Sequence, residues 1–253
     1  MPFYSYKDVI TSAFFEDGIT SICNYALLSC ENLVSAFLPS TLEKIDYSAF
    51  KGCTSLSFVS LSNNIKSIDD SAFSQCTSLV SVILPEGTET IGENAFSGCT
   101  ALESVTVPQT VNKVGVEAFS DTPFLKEFDG DMIIFGFALY AYNGGESSVT
   151  VPDGITSVTD EAFIFHMNLE KVILPDTLVS ISRNAFLGCH AMGSVIIPES
   201  VSEIGDHSLG YYCNNGYSGS FEKVSSFSII GKNGSAAEAY ASENSLKFTA
   251  LDI

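Results

Sequence analysis

The feature that most constrains this chain is a period of 23 residues. Cys30, Cys53, Cys76 and Cys99 stand 23 residues apart, and Cys189 falls in the same register further on. Leu38-Pro39, Leu84-Pro85, Val107-Pro108, Val151-Pro152, Leu174-Pro175 and Ile197-Pro198 open successive copies, and Leu61-Ser62 opens one more. Each copy then carries an Ala-Phe pair: Ala49-Phe50, Ala72-Phe73, Ala95-Phe96, Ala118-Phe119, Ala162-Phe163 and Ala185-Phe186. Six residues after the Phe comes Leu56, Leu79, Leu102, Leu125, Leu169 or Met192. A fixed period of this length means stacked supersecondary units, because one unit cannot bury its apolar side alone.

The copy LPEGTETIGENAFSGCTALESVT, residues 84–106, shows what each part does. Leu102-x-x-Val105-x-Val107 reads as a short strand with its apolar side chains turned into the coil. Pro108 ends that strand, since it has no N–H for the next ladder bond. Val111 and Val114, like Leu42 and Ile45, return the chain along another wall. Ala and Phe then fill the interior on a tight helical turn, with Asp70 and Asp160 placed to cap such turns. The cysteine column reads as a small buried side chain. Parallel side-chain vectors on stacked rungs suit disulfide geometry poorly, so free thiols are expected. Gly92, Gly115 and Gly205 recur at the period and read as turn residues.

The copies run at about 15–37, 38–60, 61–83, 84–106, 107–129, 151–173 and 174–196, with a degenerate one from 197. The first has Ala26-Leu27 and the last Ser208-Leu209 in place of Ala-Phe, as expected of end copies that shield the core. Residues 130–150 interrupt the period. Met132–Phe135 and Ala138–Tyr142 there read as a β-hairpin, with a second turn after it. Residues 211–253 read as a C-terminal cap, with an Ala-rich helix started by Ser235 and a final strand around Leu246–Phe248.

The pattern L-P-x-x-[LV]-x-x-I-G-x-x-A-F-x-x-C-x-x-L-x-x-[IV]-x is similar to the BspA-like leucine-rich repeats. It covers about residues 15–210, and the insertion and tail also resemble elements that accompany these repeats. The resemblance implies a curved solenoid, usually secreted or anchored at the surface of bacteria and some protozoan parasites, and associated with adhesion. It carries over no catalytic motif. The expected architecture is a single domain, 1–253: a right-handed, mainly parallel β-solenoid of the leucine-rich type with short helical turns opposite the sheet.

Composition excludes several roles. Eleven Lys and Arg against thirty Asp and Glu give a net charge of −19. That balance argues against nucleic acid, whose phosphates need cations, and against an anionic membrane surface. No apolar run approaches the ~18 residues of a membrane-spanning helix. Met1–Lys7 lacks the form of a signal peptide. The chain is therefore either cytosolic or a mature region whose export signal lies elsewhere, and the resemblance favours the cell surface.

No catalytic or cofactor-binding loop is found, and no cofactor is expected. His166 lies in the cysteine column and reads as a packed repeat residue. His190 follows Cys189, but the period puts that thiol inside the coil. His207 reads as a solvent-facing turn residue. Asp69, Asp70, Glu93, Glu117, Asp160, Glu161 and Asp206 would line one edge, as a solvated face or a cation stripe.

The outer side of the main sheet is the stronger candidate. Between the inward apolar positions, one outward column reads Phe37, Ser60, Ile83, Thr106, Ile173 and Ile196. Its neighbour reads Ser35, Phe58, Ser81, Ser104, Lys171 and Ser194. Phe37, Phe58, Ile83, Thr106, Lys171, Ile173 and Ile196 form the candidate face for a protein partner. The competing readings of the column are plain β-propensity and coverage by the inserted hairpin. The expected role is a non-enzymatic interaction or adhesion module binding a host extracellular protein or another cell-surface protein. The alternative is a structural spacer within a larger surface protein.

Overall fold

The computed structural model describes residues 6–217 and 220–251. The fold is a parallel β-solenoid, and its chain divides into two compact units, 1–129 and 130–253.

In the first unit each 23-residue copy makes one coil with three walls. The first wall carries three-residue strands: Ser12–Phe14, Ser35–Phe37 and Phe58–Ser60 in one parallel sheet, then Ser81–Ile83 with Ser104–Thr106. The second wall carries two-residue strands in an unbroken five-stranded sheet: Ser21–Ile22, Lys44–Ile45, Ser67–Ile68, Thr90–Ile91 and Lys113–Val114. Partners stand one period apart, as in Ser35 opposite Phe58 and Lys44 opposite Ser67.

The third wall corrects the expected helical turn. The residue before each Ala-Phe pair is left-handed: Ser48, Ser71, Asn94 and Glu117 have φ between 53° and 56°. So is the residue before each column cysteine or its substitute: Gly52, Gln75, Gly98 and Asp121, at 60° to 73°. These residues break any i to i−4 ladder. Backbone donors then alternate in direction. Ala49 N–H bonds back to Asp46 O, whereas Ser48, Phe50 and Gly52 donate to Asp70, Ala72 and Ser74 of the next coil. Asp70 likewise does not cap its own turn; its Oδ1 accepts from Glu93 N–H at 2.8 Å, one coil on.

The column glycines are also needed for a different reason than turn dihedrals. A Cβ on Gly92 would stand 2.4 Å from Asp70 N, and one on Gly115 2.3 Å from Glu93 N. Backbone passes too close for any side chain there.

Identical residues file through the interior. Phe50, Phe73, Phe96 and Phe119 are fully buried, with successive ring centroids 5.1, 5.4 and 5.5 Å apart and planes within 8°. Leu27 continues that file in the weak first copy and is buried. At the other end the helix Pro123–Lys126, capped by Thr122 Oγ1, sets Phe124 edge-on against Phe119.

The second unit opens with the expected hairpin, Met132–Phe135 against Ala138–Tyr142. Its second strand does not stand apart from the coil. Ala138 and Leu139 pair in parallel with Ser157 and Val158, and the ladder runs on to Ser180–Ile181 and Glu203–Ile204. Ser148–Thr150 pairs with Lys171–Ile173 on the first wall. Most of the stretch read as an insertion is thus a shortened coil, in which Tyr142 stands where other coils place Phe. Its ring lies 5.2 Å from Phe163, which stacks on Phe186 at 4.7 Å.

The C-terminal segment extends the first wall. Ser228–Gly231 pairs with Ser194–Ile196, and Lys247–Ala250 pairs with Ser228–Gly231. The helix Ala236–Glu243 starts after Ser235 as expected and buries Ala237, Tyr240 and Ala241. The Tyr240 hydroxyl bonds both Leu209 N and Leu209 O at 3.2 Å, closing the backbone of the degenerate last copy. An antiparallel hairpin, Tyr211–Tyr217 with Phe221–Lys223, was not foreseen.

Candidate protein-interaction face

Strand alternation sets the face. In Phe58-Val59-Ser60, Ser81-Val82-Ile83 and Ser194-Val195-Ile196 the middle Val is buried and both flanking residues are exposed. All seven candidate residues lie on the exposed side: Phe37, Phe58, Ile83 and Thr106 in the first unit, Lys171, Ile173 and Ile196 in the second. Ile83 is 72 % exposed and Ile196 55 %. The inserted hairpin does not cover Ile173 or Ile196, because it is hydrogen-bonded into the second wall.

The first unit adds a residue that sequence reasoning missed. Phe14 is 74 % exposed and stacks on Phe37, ring centroids 4.7 Å apart and planes 6° from parallel. Phe58 continues the array, 5.8 Å from Phe37. The signal was legible: Ser12-Ala13-Phe14 repeats Ser35-Ala36-Phe37 one period earlier. The exposed parts of these three rings forgo the gain that burial would bring, about 25 cal/mol per Å² of apolar area.

The other candidates are occupied structurally. All seven cysteines are free. Cys53, Cys76, Cys99 and Cys189 donate their thiols to the carbonyls of Leu27, Phe50, Phe73 and Phe163 of the preceding coil, at 3.1 to 3.2 Å. The column is therefore a tie between coils as well as a filler. Burial pushes the thiols of Cys53, Cys99 and Cys189 up to about 12, and that of Cys76 well above its ordinary value. A buried thiol so reluctant to ionise is no nucleophile for His190 to activate; that imidazole packs on Tyr212 instead, at 4.8 Å. His166 packs against Tyr142 at 4.9 Å and meets Phe163 edge-on. His207 departs from the solvent-facing reading: its ring stacks on Phe221 at 4.0 Å and meets Tyr211 edge-on.

The carboxylate edge is partly tied down. Lys44 bridges Asp46 and Asp69 at 3.1 and 3.2 Å, and Arg183 reaches Asp160 at 4.0 Å. Among the described residues no three metal-ligating side chains converge. Among them, too, no helix is long and apolar enough to cross a membrane.

The repeat and the comparison with known families agree. The BspA type leucine rich repeat region matches residues 2–126 and 136–234, in six copies. This chain belongs to the BspA-type leucine-rich repeat family. The second matched stretch begins at residue 136, close to where the ladder resumes at Ala138. No curated protein matches this BspA-type chain significantly.

Among solved structures, the chain is similar to the T. pallidum leucine rich repeat protein TpLRR, at 27 % identity over 72 % of this chain and 78 % of that one, with a TM-score of 0.48. A leucine rich cell surface protein from Faecalibacterium prausnitzii is 20 % identical over 99 % of this chain and 82 % of its own, with a TM-score of 0.42. A leucine-rich repeat protein from Eubacterium ventriosum is 23 % identical over 81 % and 58 %, with a TM-score of 0.47.

Proposed function

We propose that this BspA-type chain is a non-catalytic interaction module, displayed at the cell surface, that binds a protein partner through the outer side of its first wall. The partner is a host extracellular protein or another cell-surface protein. The observation that carries the reading is the exposed apolar column, above all the Phe14–Phe37 stack. Side chains of this size gain most when a partner desolvates them, and aromatic anchors dominate interface energetics. Phe14, Phe37 and Phe58 stand on three strands bonded into one sheet, so little ordering cost is left there for binding. The surface assignment follows the habit of the family.

The test is binding of the labelled protein to an array of extracellular proteins and to intact host cells. The comparison is a variant carrying Ile83→Lys, Ile173→Lys and Ile196→Lys. Binding that falls at least tenfold with an unchanged melting temperature supports the reading. Equal binding by this variant and by a second one carrying Phe14→Ser and Phe37→Ser overturns it, and no binding by any of the three proteins favours the spacer.

A further inference from the structure

The first wall of the second unit opens between two coils. Lys171–Ile173 pairs with Ser148–Thr150, and Ser194–Ile196 pairs with Ser228–Gly231, but these strands belong to separate sheets. The second wall is continuous across the same coils, through Ser157–Val158, Ser180–Ile181 and Glu203–Ile204. A groove of about 510 Å³ lies at the opening. Ile173, Ile196 and Leu251 give it an apolar lining.

Its charges are arranged by position. Lys171 starts its strand, and Asp176 follows Pro175, beyond the strand's other end. The stretch from Lys171 to Pro175 spans at most about 13 Å, at ~3.3 Å per residue, and Asp176 stands in the turn that follows it. Glu199 also lines the groove and is already paired with the Lys232 ammonium. Neither Lys171 nor Asp176 has an ion-pair partner among the described residues. Lys171 is also out of pattern. The equivalent positions in the neighbouring coils, Ser148 and Ser194, carry serine.

We infer that this groove receives a short extended segment of a partner protein in which an acidic, an apolar and a basic residue alternate with spacers. The inference rests on the reading of the outer face as the binding surface, and it names the partner's chemistry. In an extended segment, residues i, i+2 and i+4 share one face and span about 13 Å. That length carries a carboxylate to Lys171 and a cation to Asp176 while the central side chain lies on Ile173 and Ile196. Charge complementarity at both ends selects this pattern over a uniformly basic segment, which the net charge of −19 would otherwise attract.

The test uses four synthetic peptides, acetylated and amidated, and the ¹⁵N-labelled full chain. They are Gly-Glu-Thr-Ile-Thr-Lys-Gly, the same peptide with two Glu, the same with two Lys, and the first with Ser for Ile. The first should shift the amide resonances of Lys171–Leu174 and Ile196–Ser200 and bind at least fivefold tighter than the others. Lys171→Glu should transfer the preference to the two-Lys peptide. A two-Lys peptide that binds best to the unaltered chain overturns the inference, as does equal binding of the Ser peptide. Dimerisation of the chain that blocks the groove overturns it too. If the triple Lys variant loses its partner while no peptide binds, the outer-face reading stands and the groove inference alone fails.

Discussion

Phe96 and Phe119 lie face to face inside the first unit, 23 residues apart in the chain, with ring planes parallel and centroids 5.5 Å apart. Each ring fills the space that the next coil leaves, so one side chain is held from two sides. Phe96→Ala should therefore cost about 3–5 kcal/mol, the usual range for a buried Phe. Phe96→Leu keeps more of the volume and should cost less. Urea unfolding of the two variants checks the order.

The thiol column should make stability fall at alkaline pH. Cys53, Cys99 and Cys189 ionise near 12 in the fold, against an ordinary value of 9.0. The raised folded value means that the fold prefers the protonated thiol. Its contribution is complete below pH 9 and is lost as pH rises toward 12. Denaturant midpoints measured from pH 8 to 11 should decline, and Cys53→Ala with Cys99→Ala should flatten the decline.

The same burial predicts reactivity. Cys23 is exposed, whereas the other six cysteines are buried. An aromatic disulfide reagent should modify one thiol rapidly in the native protein and all seven after denaturation. Cys23→Ser should remove the fast phase.

Gln75 occupies a left-handed position, φ 61°, that Gly52 and Gly98 fill in the adjacent coils. A left-handed L-residue costs roughly 1–2 kcal/mol that glycine avoids. Gln75→Gly should accordingly stabilise the protein, by about 1 kcal/mol in thermal or urea unfolding, and Gly98→Ala should do the reverse.

Gly115→Ala should destabilise for another reason. Its new Cβ would stand 2.3 Å from the Glu93 backbone nitrogen, which no rotamer relieves. Forcing the coils apart should cost about 1–3 kcal/mol, the usual range for overpacking.

The coil, its inward residues and its outward columns were legible because side chains recur at one period and alternate along each strand. Val59, Val82 and Val195 point in while Phe58, Ile83 and Ile196 point out. The third wall was not legible, since Ala-Phe between polar residues fits a helical turn equally well. What decides is backbone conformation at Ser48, Ser71 and Asn94, residue types that tolerate φ > 0 without announcing it. The shortened coil around Ala138–Tyr142 escaped notice because Tyr142 replaces Phe and the spacing to Phe163 is 21. Phe14 was missed because it stands just ahead of the first copy counted, which begins at residue 15. The groove could not be read at all: no pattern of letters says where a ladder of hydrogen bonds stops.

The interruption in the first wall also occurs in the first unit, between Phe58–Ser60 and Ser81–Ile83, while Ser67–Ile68 and Thr90–Ile91 stay bonded behind it. Coils fastened on one flank and slack on the other bend most readily at the slack seam. In the first unit the stacked rings of Phe50, Phe73 and Phe96 run past that seam, so the interior file spans the place where the ladder stops.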